Sequence, residues 1–329
     1  MNGELCIGVD LGGTKVEGIV LRTGAGDATE VLVRRRVPTE RERGYAAVLE
    51  TTRALVVEVA AVAGCDMATV PIGVGMPGHV TRRDGLVKNS NTTCLNGRPF
   101  RHDLGRLLGR PVCFDNDANC FALAEARLGA ARGHAHGAVL GVILGTGVGG
   151  GVVFGGRVWS GAQGIAGEWG HHAVYALPPP AAARAELRPC YCGQRGCLEA
   201  YVSGPAVERD YAARAGAPLG LDEIARRRHD DPHAAAAISL LLDAFARGLA
   251  NVIDVLDPSI VVLGGGVSHL DLLYDEGARR VAAYVFNDEL TTPIVRNQLG
   301  DSAGVFGAAL LGASSDSAGG ELQGMAGAR

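Results

Sequence analysis

Hydrophobic and polar positions follow one another along the chain in runs that predict a mixed α/β protein. Short apolar runs bounded by glycine, proline or polar residues predict strands, and apolar residues at helical spacing predict helices. Strands are expected at residues 5–10, 16–21, 31–38, 72–76, 112–114, 139–144, 151–154 and 260–263. Helices are expected at 45–63, 117–131, 234–256 and 304–311, and the Pro/Ala-rich stretch 178–190 is expected to be irregular.

The order of these elements predicts two lobes. The first strands form a meander whose opening turn is rich in glycine, and a second glycine-rich hairpin begins a similar unit further on. One plan used twice suggests two lobes with a cleft between them, a common place for a ligand. We expect a small N-terminal lobe at 1–117 with a helix at about 300–312 packing back on it, a larger lobe at 118–299, and a flexible tail at 313–329.

Composition is that of an ordinary globular protein and excludes several functional classes. The chain has 329 residues, of which 47% are hydrophobic and 20% charged, and its formal net charge of −4 gives no global basic surface for nucleic acid. No uninterrupted apolar run of 18 residues predicts a membrane span, and the N-terminus has no signal-peptide pattern. We therefore expect a cytoplasmic protein that binds neither nucleic acid nor membrane and keeps its eight cysteines reduced.

The first glycine-rich turn, DLGGTK, has the chemistry of a phosphate-binding turn. Its glycines let the backbone approach a ligand closely, and successive amides form a concavity for an anion. A threonine hydroxyl and a lysine add donors, while the aspartate offers a hard oxygen that could hold Mg²⁺ directly or through water. The spacing is not that of a Walker A loop, and a plain hairpin turn is the alternative. The residues concerned are Asp10, Gly12, Gly13, Thr14 and Lys15.

Two further glycine-rich turns follow strands. GTGVGGG at 145–151 contains a literal G-x-G-x-x-G, but a dinucleotide site requires a helix next, and here the residues predict a strand. We interpret it as a second phosphate turn, with Thr146 and Gly147 as its ligands. LGGG at 263–266 could lie against an adenine or a ribose.

Acidic residues cluster in FDNDAN at 114–119, where a strand ends and a helix begins. A capping role for Asp115 or Asp117 is one interpretation, because Asp and Asn favour helix N-caps. The number of polar groups exceeds what a cap requires. A carboxylate at a helix N-terminus stays ionised and could accept the proton of a hydroxyl that attacks a phosphoryl group. We therefore favour Asp117 as a general base.

Three cysteines in CYCGQRGC at 190–197 indicate a metal site. A redox role would prefer a C-x-x-C pair, which this stretch lacks. A tetrahedral zinc site needs a fourth ligand, and His171 or His172 could supply it. With no open position on the metal, the zinc would hold a loop and would not activate water.

Taken together, these motifs resemble the ROK family (repressors, open reading frames and sugar kinases) over almost the whole chain. The resemblance is carried by DLGGTK at 10–15, GMPG at 75–78, DNDAN at 115–119, GTGVGGG at 145–151, GEWGH at 167–171, CYCGQRGCLE at 190–199 and LGGG at 263–266. It implies an actin/hexokinase-like ATPase fold of two lobes, with ATP and a hexose in the cleft.

The resemblance also implies residue roles. Asp117 matches the catalytic base. The positions that match sugar contacts are Gly78, Asn91, Asn116, Glu168, His171 and Glu199. The positions that match the ATP and Mg²⁺ region are Asp10, Gly12, Gly13, Thr14, Lys15, Thr146, Gly147, Gly265 and Gly266. The positions that match the structural zinc ligands are His171, Cys190, Cys192 and Cys197.

Within the family, the sequence looks most like the bacterial fructokinase/mannokinase branch, so we expect ATP-dependent conversion of fructose to fructose 6-phosphate. An N-acetylglucosamine kinase, or a glucokinase or mannokinase, is the alternative, and a non-catalytic sugar sensor is a third interpretation. Cys94 stands where many relatives have tryptophan, beside the sugar loop. Only nine residues precede Asp10, which disfavours a DNA-binding repressor, and the family suggests a homodimer.

Overall fold

A computed structural model of the chain describes residues 3–24, 28–134, 136–175 and 187–316. Most of the stretch expected to be irregular, 178–190, lies outside these ranges. The strands are β1 Glu4–Leu11, β2 Lys15–Thr23, β3 Thr29–Pro38, β4 Ile72–Met76, β5 His79–Val80, β6 Val87–Lys88, β7 Cys113–Asn116, β8 Ala138–Leu144, β9 Val148–Phe154, β10 Arg157–Val158, β11 Ile260–Gly264 and β12 Ile294–Arg296. The helices are α1 Tyr45–Ala63, α2 Phe100–Leu108, α3 Asp117–Arg127, α4 Glu199–Val202, α5 Gly204–Ala215, α6 Leu221–Arg227, α7 Pro232–Leu256, α8 Glu276–Ala282 and α9 Ala303–Asp316.

The chain divides into two compact units with interleaved segments. Among the described residues, unit 1 comprises 3–24, 28–132, 156–166 and 299–316, and unit 2 comprises 133–134, 136–155, 167–175 and 187–298. The first boundary therefore falls after Arg132, and not after Asp117 as the sequence suggested, because helix α3 packs against α9 within unit 1. Residues 313–316, expected in a flexible tail, form the last turn of α9, and the rest of that tail lies outside the described residues.

Unit 1 is built on a sheet with the strand order β3-β2-β1-β4-β7. Strands β1, β2 and β3 are an antiparallel meander, while β4 and β7 continue parallel to β1. Helix α1 has the bounds that the apolar spacing predicted, and its buried face includes Val48, Leu55 and Val59. Parallel strands need crossover connections, and here the segments holding α1 and α2 provide them.

The C-terminal helix α9 packs on β1 and β4 of this sheet. Its sequence, AGVFGAALLGASSD, is rich in small residues, which allows the backbones to approach closely. A Cβ on Gly73 of β4 would collide with the carbonyl of Ala308, and a Cβ on Gly307 would collide with the carbonyl of Cys120 in α3. These glycines let α9 lie between the sheet and α3.

Unit 2 repeats the plan with a second hairpin and parallel strands. Its strands run in the order β9-β8-β11-β12, with β8 and β9 antiparallel and β11 parallel to both β8 and β12. Strand β9 begins at Val148, so the G-x-G-x-x-G stretch leads into a strand, and the helix that a dinucleotide fingerprint requires is not there.

Helix α7 is the centre of unit 2. Asp231 caps it by accepting hydrogen bonds from the amides of His233 and Ala234, and Pro232 occupies its first turn. By length and composition alone α7 could cross a membrane, with a mean hydropathy of 1.5 over 18 residues. The sequence expectation missed this because Asp243 and Arg247 interrupt the run. Since 61% of that window is buried inside the structure, α7 is the kind of core helix that passes the same test.

Several short helices escaped the sequence prediction. Helices α2, α5, α6 and α8 carry many charged residues and few apolar ones per turn, so their periodicity is weak. They are helical because each buries a small face: Phe100 and Leu104 for α2, and Ile224 alone for α6. Tertiary packing, more than propensity, stabilises helices of this length.

Candidate active site

A row of acidic residues lies at the carboxyl ends of the parallel strands in unit 1. Strand register aligns Asp10 of β1 with Gly75 of β4, and Gly75 with Asp115 of β7. Asp117 follows two residues later as the first residue of α3. The sheet therefore brings together Asp10 and Asp117, which are far apart in sequence. We call Asp10, Asp115 and Asp117 the acidic cluster.

Asp10 carries the clearest electrostatic signature in this cluster. Burial, then the carboxylate of Asp117 and then that of Glu17, raise its pKa to about 7. Lys15 and Arg36 act in the opposite direction. A carboxyl with a pKa near 7 is about half ionised at neutral pH, and a cation bound beside it would favour the ionised form. The donor chemistry fits Mg²⁺, which prefers carboxylate and water oxygens.

The cap of α3 is Asn116, and neither Asp115 nor Asp117 fills that position. The Asn116 side-chain oxygen accepts from the amide of Ala118 at 2.8 Å, and its amide nitrogen donates to the carbonyl of Gly78 at 3.0 Å. Asp115 in turn accepts from the Asn116 amide, the Asn119 side chain and the Ser160 hydroxyl. These bonds orient the start of α3 and hold Asp117 at its positive end.

The loops that contain Gly78 and Asn91 lie beside the start of α3 and the first glycine-rich turn, respectively. Gly78 has φ +81°, and a Cβ there would collide with the carbonyl of Lys88, so only glycine fits. Asn96 ties the second loop by bonding both the amide and the carbonyl of Ser90. Asn91 is left exposed, with its Oδ1 3.8 Å from where a Cβ on Gly13 would lie.

The first glycine-rich turn is a tight connection between β1 and β2. The amide of Gly12 donates to the carbonyl of Lys15 at 3.0 Å, and Thr39 braces the turn by donating its hydroxyl to the carbonyl of Gly12 at 2.7 Å. The residues that follow Thr39 in the chain lie close to the turn. Arg41 Nη1 lies 3.4 Å from the Cβ position of Gly13, which places a cation beside the turn that the sequence did not indicate.

The second glycine-rich turn, in unit 2, is held by Glu199. One carboxylate oxygen of Glu199 accepts from the amide of Val148 at 2.9 Å, and a Cβ on Gly147 would lie 3.0 Å from that oxygen. Gly145 accepts from the amide of Gly204 at 2.9 Å. Glu199, expected from the resemblance to contact the sugar, therefore also supports the turn assigned to ATP.

The remaining glycine and carboxylate candidates of unit 2 lie in loops. Gly265 has φ +82° and approaches the backbone of Leu144, while Gly266 begins a short 3-10 helix after β11. Thr146 is exposed in the turn between β8 and β9, and Glu168 is exposed just before Trp169, which is buried.

The predicted zinc ligands come together in unit 2. The ligand atoms of His171, Cys190, Cys192 and Cys197 all lie within 4.8 Å of one another. The Sγ atoms of Cys192 and Cys197 are 3.6 Å apart, too far for a disulfide at about 2.05 Å. Around a tetrahedral zinc with bonds of about 2.3 Å to sulfur, ligand atoms are separated by roughly 3.7 Å. The donor set therefore fits zinc, and His171, not His172, belongs to it. We call these four residues the thiol cluster.

The loop's own backbone shapes the thiol cluster. Cys190 donates its amide to the carbonyl of Gln194 at 2.9 Å, and Gly193 donates back to Cys190 at 3.1 Å. Gly193 and Gly196 have φ of +87° and +79°, which favour glycine. A bridge between Ala173 and Cys197 brings the histidine segment alongside.

Two side chains contact these clusters that the sequence analysis did not single out. Ser160, on a segment of unit 1, donates to Asp115 at 3.2 Å, and nothing in its sequence context pointed to that role. Tyr191 stands between Cys190 and Cys192, and its hydroxyl lies 3.0 Å from Nε2 of His171. Its position inside the cysteine motif was a usable signal.

Solved structures with the same architecture identify the fold. The fold is the α/β, actin/hexokinase-like ATPase fold, as predicted. A ROK hexokinase from Thermus thermophilus matches with a TM-score of 0.81 and 34% identity, over 96% of this chain and 100% of that one. A ROK family glucokinase from Streptomyces griseus, solved with glucose and AMPPNP, matches with a TM-score of 0.72 and 29% identity, over 94% of this chain and 99% of that one.

Sequence comparison agrees. Residues 6–314 match the ROK family. An N-acetyl-D-glucosamine kinase from Photobacterium profundum is 39% identical over 311 residues, covering 92% of this chain and 98% of that protein. The chain belongs to the ROK family, as its motifs predicted.

Proposed function

We propose that this protein is an ATP-dependent sugar kinase that phosphorylates the 6-hydroxyl of N-acetylglucosamine. The observation that carries the proposal is the 39% identity, over nearly the full length of both chains, with an N-acetyl-D-glucosamine kinase. The acidic cluster supports the kinase chemistry, because it sets a carboxylate at a helix N-terminus beside a second carboxylate suited to Mg²⁺. None of the relatives reported above is a fructokinase, so N-acetylglucosamine replaces fructose as the favoured substrate.

In unit 1, Asp117 would act as general base. The sugar O6 would attack the γ-phosphorus of ATP, forming the O6–P bond while the bond to the ADP oxygen breaks, and Asp117 would take the hydroxyl proton. Asn116, Gly78 and Asn91 would hold the sugar hydroxyls. Mg²⁺, when bound, would offset phosphate charge, and Asp10 would hold it directly or through water.

Phosphate binding would follow from the two glycine turns. In unit 1, Lys15, Thr14 and the amides around Gly12 and Gly13 would contact phosphate oxygens. In unit 2, Thr146 and Gly147 would do the same, and Gly265 and Gly266 would lie on the adenosine side. Backbone amides suit this task because they are fixed donors that need no reorganisation.

The thiol cluster would hold structural zinc in unit 2. All four ligand positions come from protein, so the metal would stabilise the loop and would not activate water. It would fix the segment that runs from Cys197 into Glu199 and the one that contains Glu168 and His171. We propose that Glu168, His171 and Glu199 supply further sugar contacts.

A hexose panel tests the substrate. We expect ADP production, read by a coupled assay, to show the highest kcat/KM with N-acetylglucosamine, by about tenfold or more over glucose, mannose and fructose, with phosphate on O6 by NMR. Glucose is the second candidate, because the Streptomyces griseus relative is a glucokinase. A higher kcat/KM for fructose or glucose would overturn the proposed acceptor, and no turnover with any sugar would favour a sensor. A cytoplasmic location and a homodimer remain our expectations, the latter testable by light scattering.

A further inference from the structure

Tyr191 occupies an unusual place between two ligands of the thiol cluster. It follows Cys190 and precedes Cys192, yet its side chain is 72% exposed and contributes little to any core. Its ring meets the His171 ring edge to face, with centroids 5.2 Å apart and planes at 82°. Its hydroxyl is 3.0 Å from Nε2 of His171. Because this exposed tyrosine makes two contacts to the same histidine, we infer that its role is to orient His171.

Both ring nitrogens of His171 are therefore engaged. Nδ1 faces the thiols, 3.6 Å from Sγ of Cys190, and Nε2 faces Tyr191. A histidine can present a lone pair to a metal from only one nitrogen while the other carries its proton. In metal sites that second nitrogen usually donates to a partner, which fixes the tautomer and the ring orientation. Tyr191 offers the oxygen that would accept this proton.

We propose that Tyr191 is a positioning residue for the zinc site: its hydroxyl accepts the Nε2 proton of His171 and keeps the Nδ1 lone pair directed at the metal. This inference rests on the proposed zinc site.

Zinc affinity tests the proposal without reference to catalysis. Tyr191→Phe removes only the hydroxyl and keeps the ring contact, and Tyr191 is exposed enough for the fold to tolerate the change. We expect the zinc Kd, measured by competition with a chromophoric chelator, to rise about tenfold or more, as for loss of a histidine's outer partner. Tyr284→Phe is the matched control. It removes a tyrosine hydroxyl bonded to Asp243 at 2.7 Å in the same unit, and its zinc Kd should equal that of the wild type.

A second readout reports the hydrogen bond itself. In the zinc-loaded wild type, ¹⁵N NMR should show a slowly exchanging Nε2 proton on His171, and Tyr191→Phe should lose that signal. A Tyr191→Phe variant that keeps both the zinc Kd and the NMR signal overturns the role of Tyr191 alone. A wild-type chain that binds no zinc overturns the zinc site and this inference together. Neither result touches the sugar-kinase proposal, which the hexose panel tests separately.

Discussion

The acidic cluster of unit 1 and the thiol cluster of unit 2 are both suited to a cation, but they are assembled in opposite ways. The acidic cluster joins residues more than 100 positions apart, because parallel strands β1, β4 and β7 end at one edge of a sheet. The thiol cluster takes three ligands from eight consecutive residues and a fourth from a neighbouring segment. The hard oxygens suit Mg²⁺ and the soft sulfurs suit zinc.

The difference shows how each cluster can be disturbed. A metal bound to the thiols would add to the backbone hydrogen bonds that shape the loop, so losing one ligand should loosen the loop and release the metal. The carboxylates are held by the sheet and the α3 cap whether or not a cation is present, so a change there should alter chemistry or titration while leaving the fold intact. Four substitutions separate these two behaviours.

The largest expected effect is on catalysis, at Asp117. Asp117→Asn keeps the shape of the side chain but removes the base, so we expect kcat to fall about 10³-fold, within the usual range for a general base. The sugar Kd by calorimetry and the melting temperature should change little. Asp288→Asn, at an exposed acid, is the control and should retain full activity. Normal turnover in Asp117→Asn would refute the base assignment.

The second largest expected effect is the loss of metal from the thiol cluster. Cys192→Ser should lower the zinc content of purified protein from about one per chain to near zero and reduce the melting temperature by about 5 °C. Treating the wild type with a strong chelator should give the same shift. Cys65→Ser, a half-buried cysteine of unit 1, should change neither value. Full zinc and full stability in Cys192→Ser would contradict the ligand set.

Glu125 lies outside both clusters and provides a comparison. It is a fully buried carboxylate whose burial is accounted for by hydrogen bonds from the protein itself. It accepts hydrogen bonds from the amides of Ala130 at 2.8 Å and Leu299 at 2.9 Å, both in unit 1. Glu125→Ala would leave both amides without this acceptor, so we expect the free energy of unfolding in urea to fall by about 3 kcal/mol. Glu208→Ala, which removes one similar bond to Leu221 at a less buried site, should cost about 1 kcal/mol. Equal losses would argue against burial as the cause.

The smallest expected effect concerns the titration of Asp10. Its pKa is raised to about 7 in the folded chain, from an ordinary value near 3.8. The folded state then holds a proton that the unfolded state has lost, so this contribution to stability is complete below pH 3.8 and disappears as the pH rises through 7. Between pH 5 and 7, wild-type stability should fall by about 1 kcal/mol per pH unit relative to Asp10→Asn, measured by denaturation without nucleotide. Parallel pH profiles would show that Asp10 stays ionised.

Local sequence patterns predicted what depends on neighbouring residues. The helix Tyr45–Ala63 has its expected bounds, because its apolar face is regular, and the eight expected strands were found to within a few residues. The short strands β5, β6, β10 and β12 were not predicted. The three cysteines of the thiol cluster could be predicted from the sequence, because they lie within eight residues of a loop whose glycines allow tight turns. The family motifs led to the ROK assignment, while the preference for fructose was not supported by the relatives.

Other features depended on groups that meet only in the folded chain. Asn116 became the cap of α3 because Gly78 accepts its amide, a partner 38 positions away. The links from Glu199 to the amide of Val148 and from Ser160 to Asp115 likewise join separate segments. Periodicity reports which face of an element is buried, whereas a polar side chain finds its partner through strand register and loop packing. The sequence by itself therefore determined most helices and strands, the glycine-rich turns and the metal motif. The tertiary structure decided which carboxylates lie close enough to shift each other's pKa, and which hydrogen-bond donors each carboxylate accepts from.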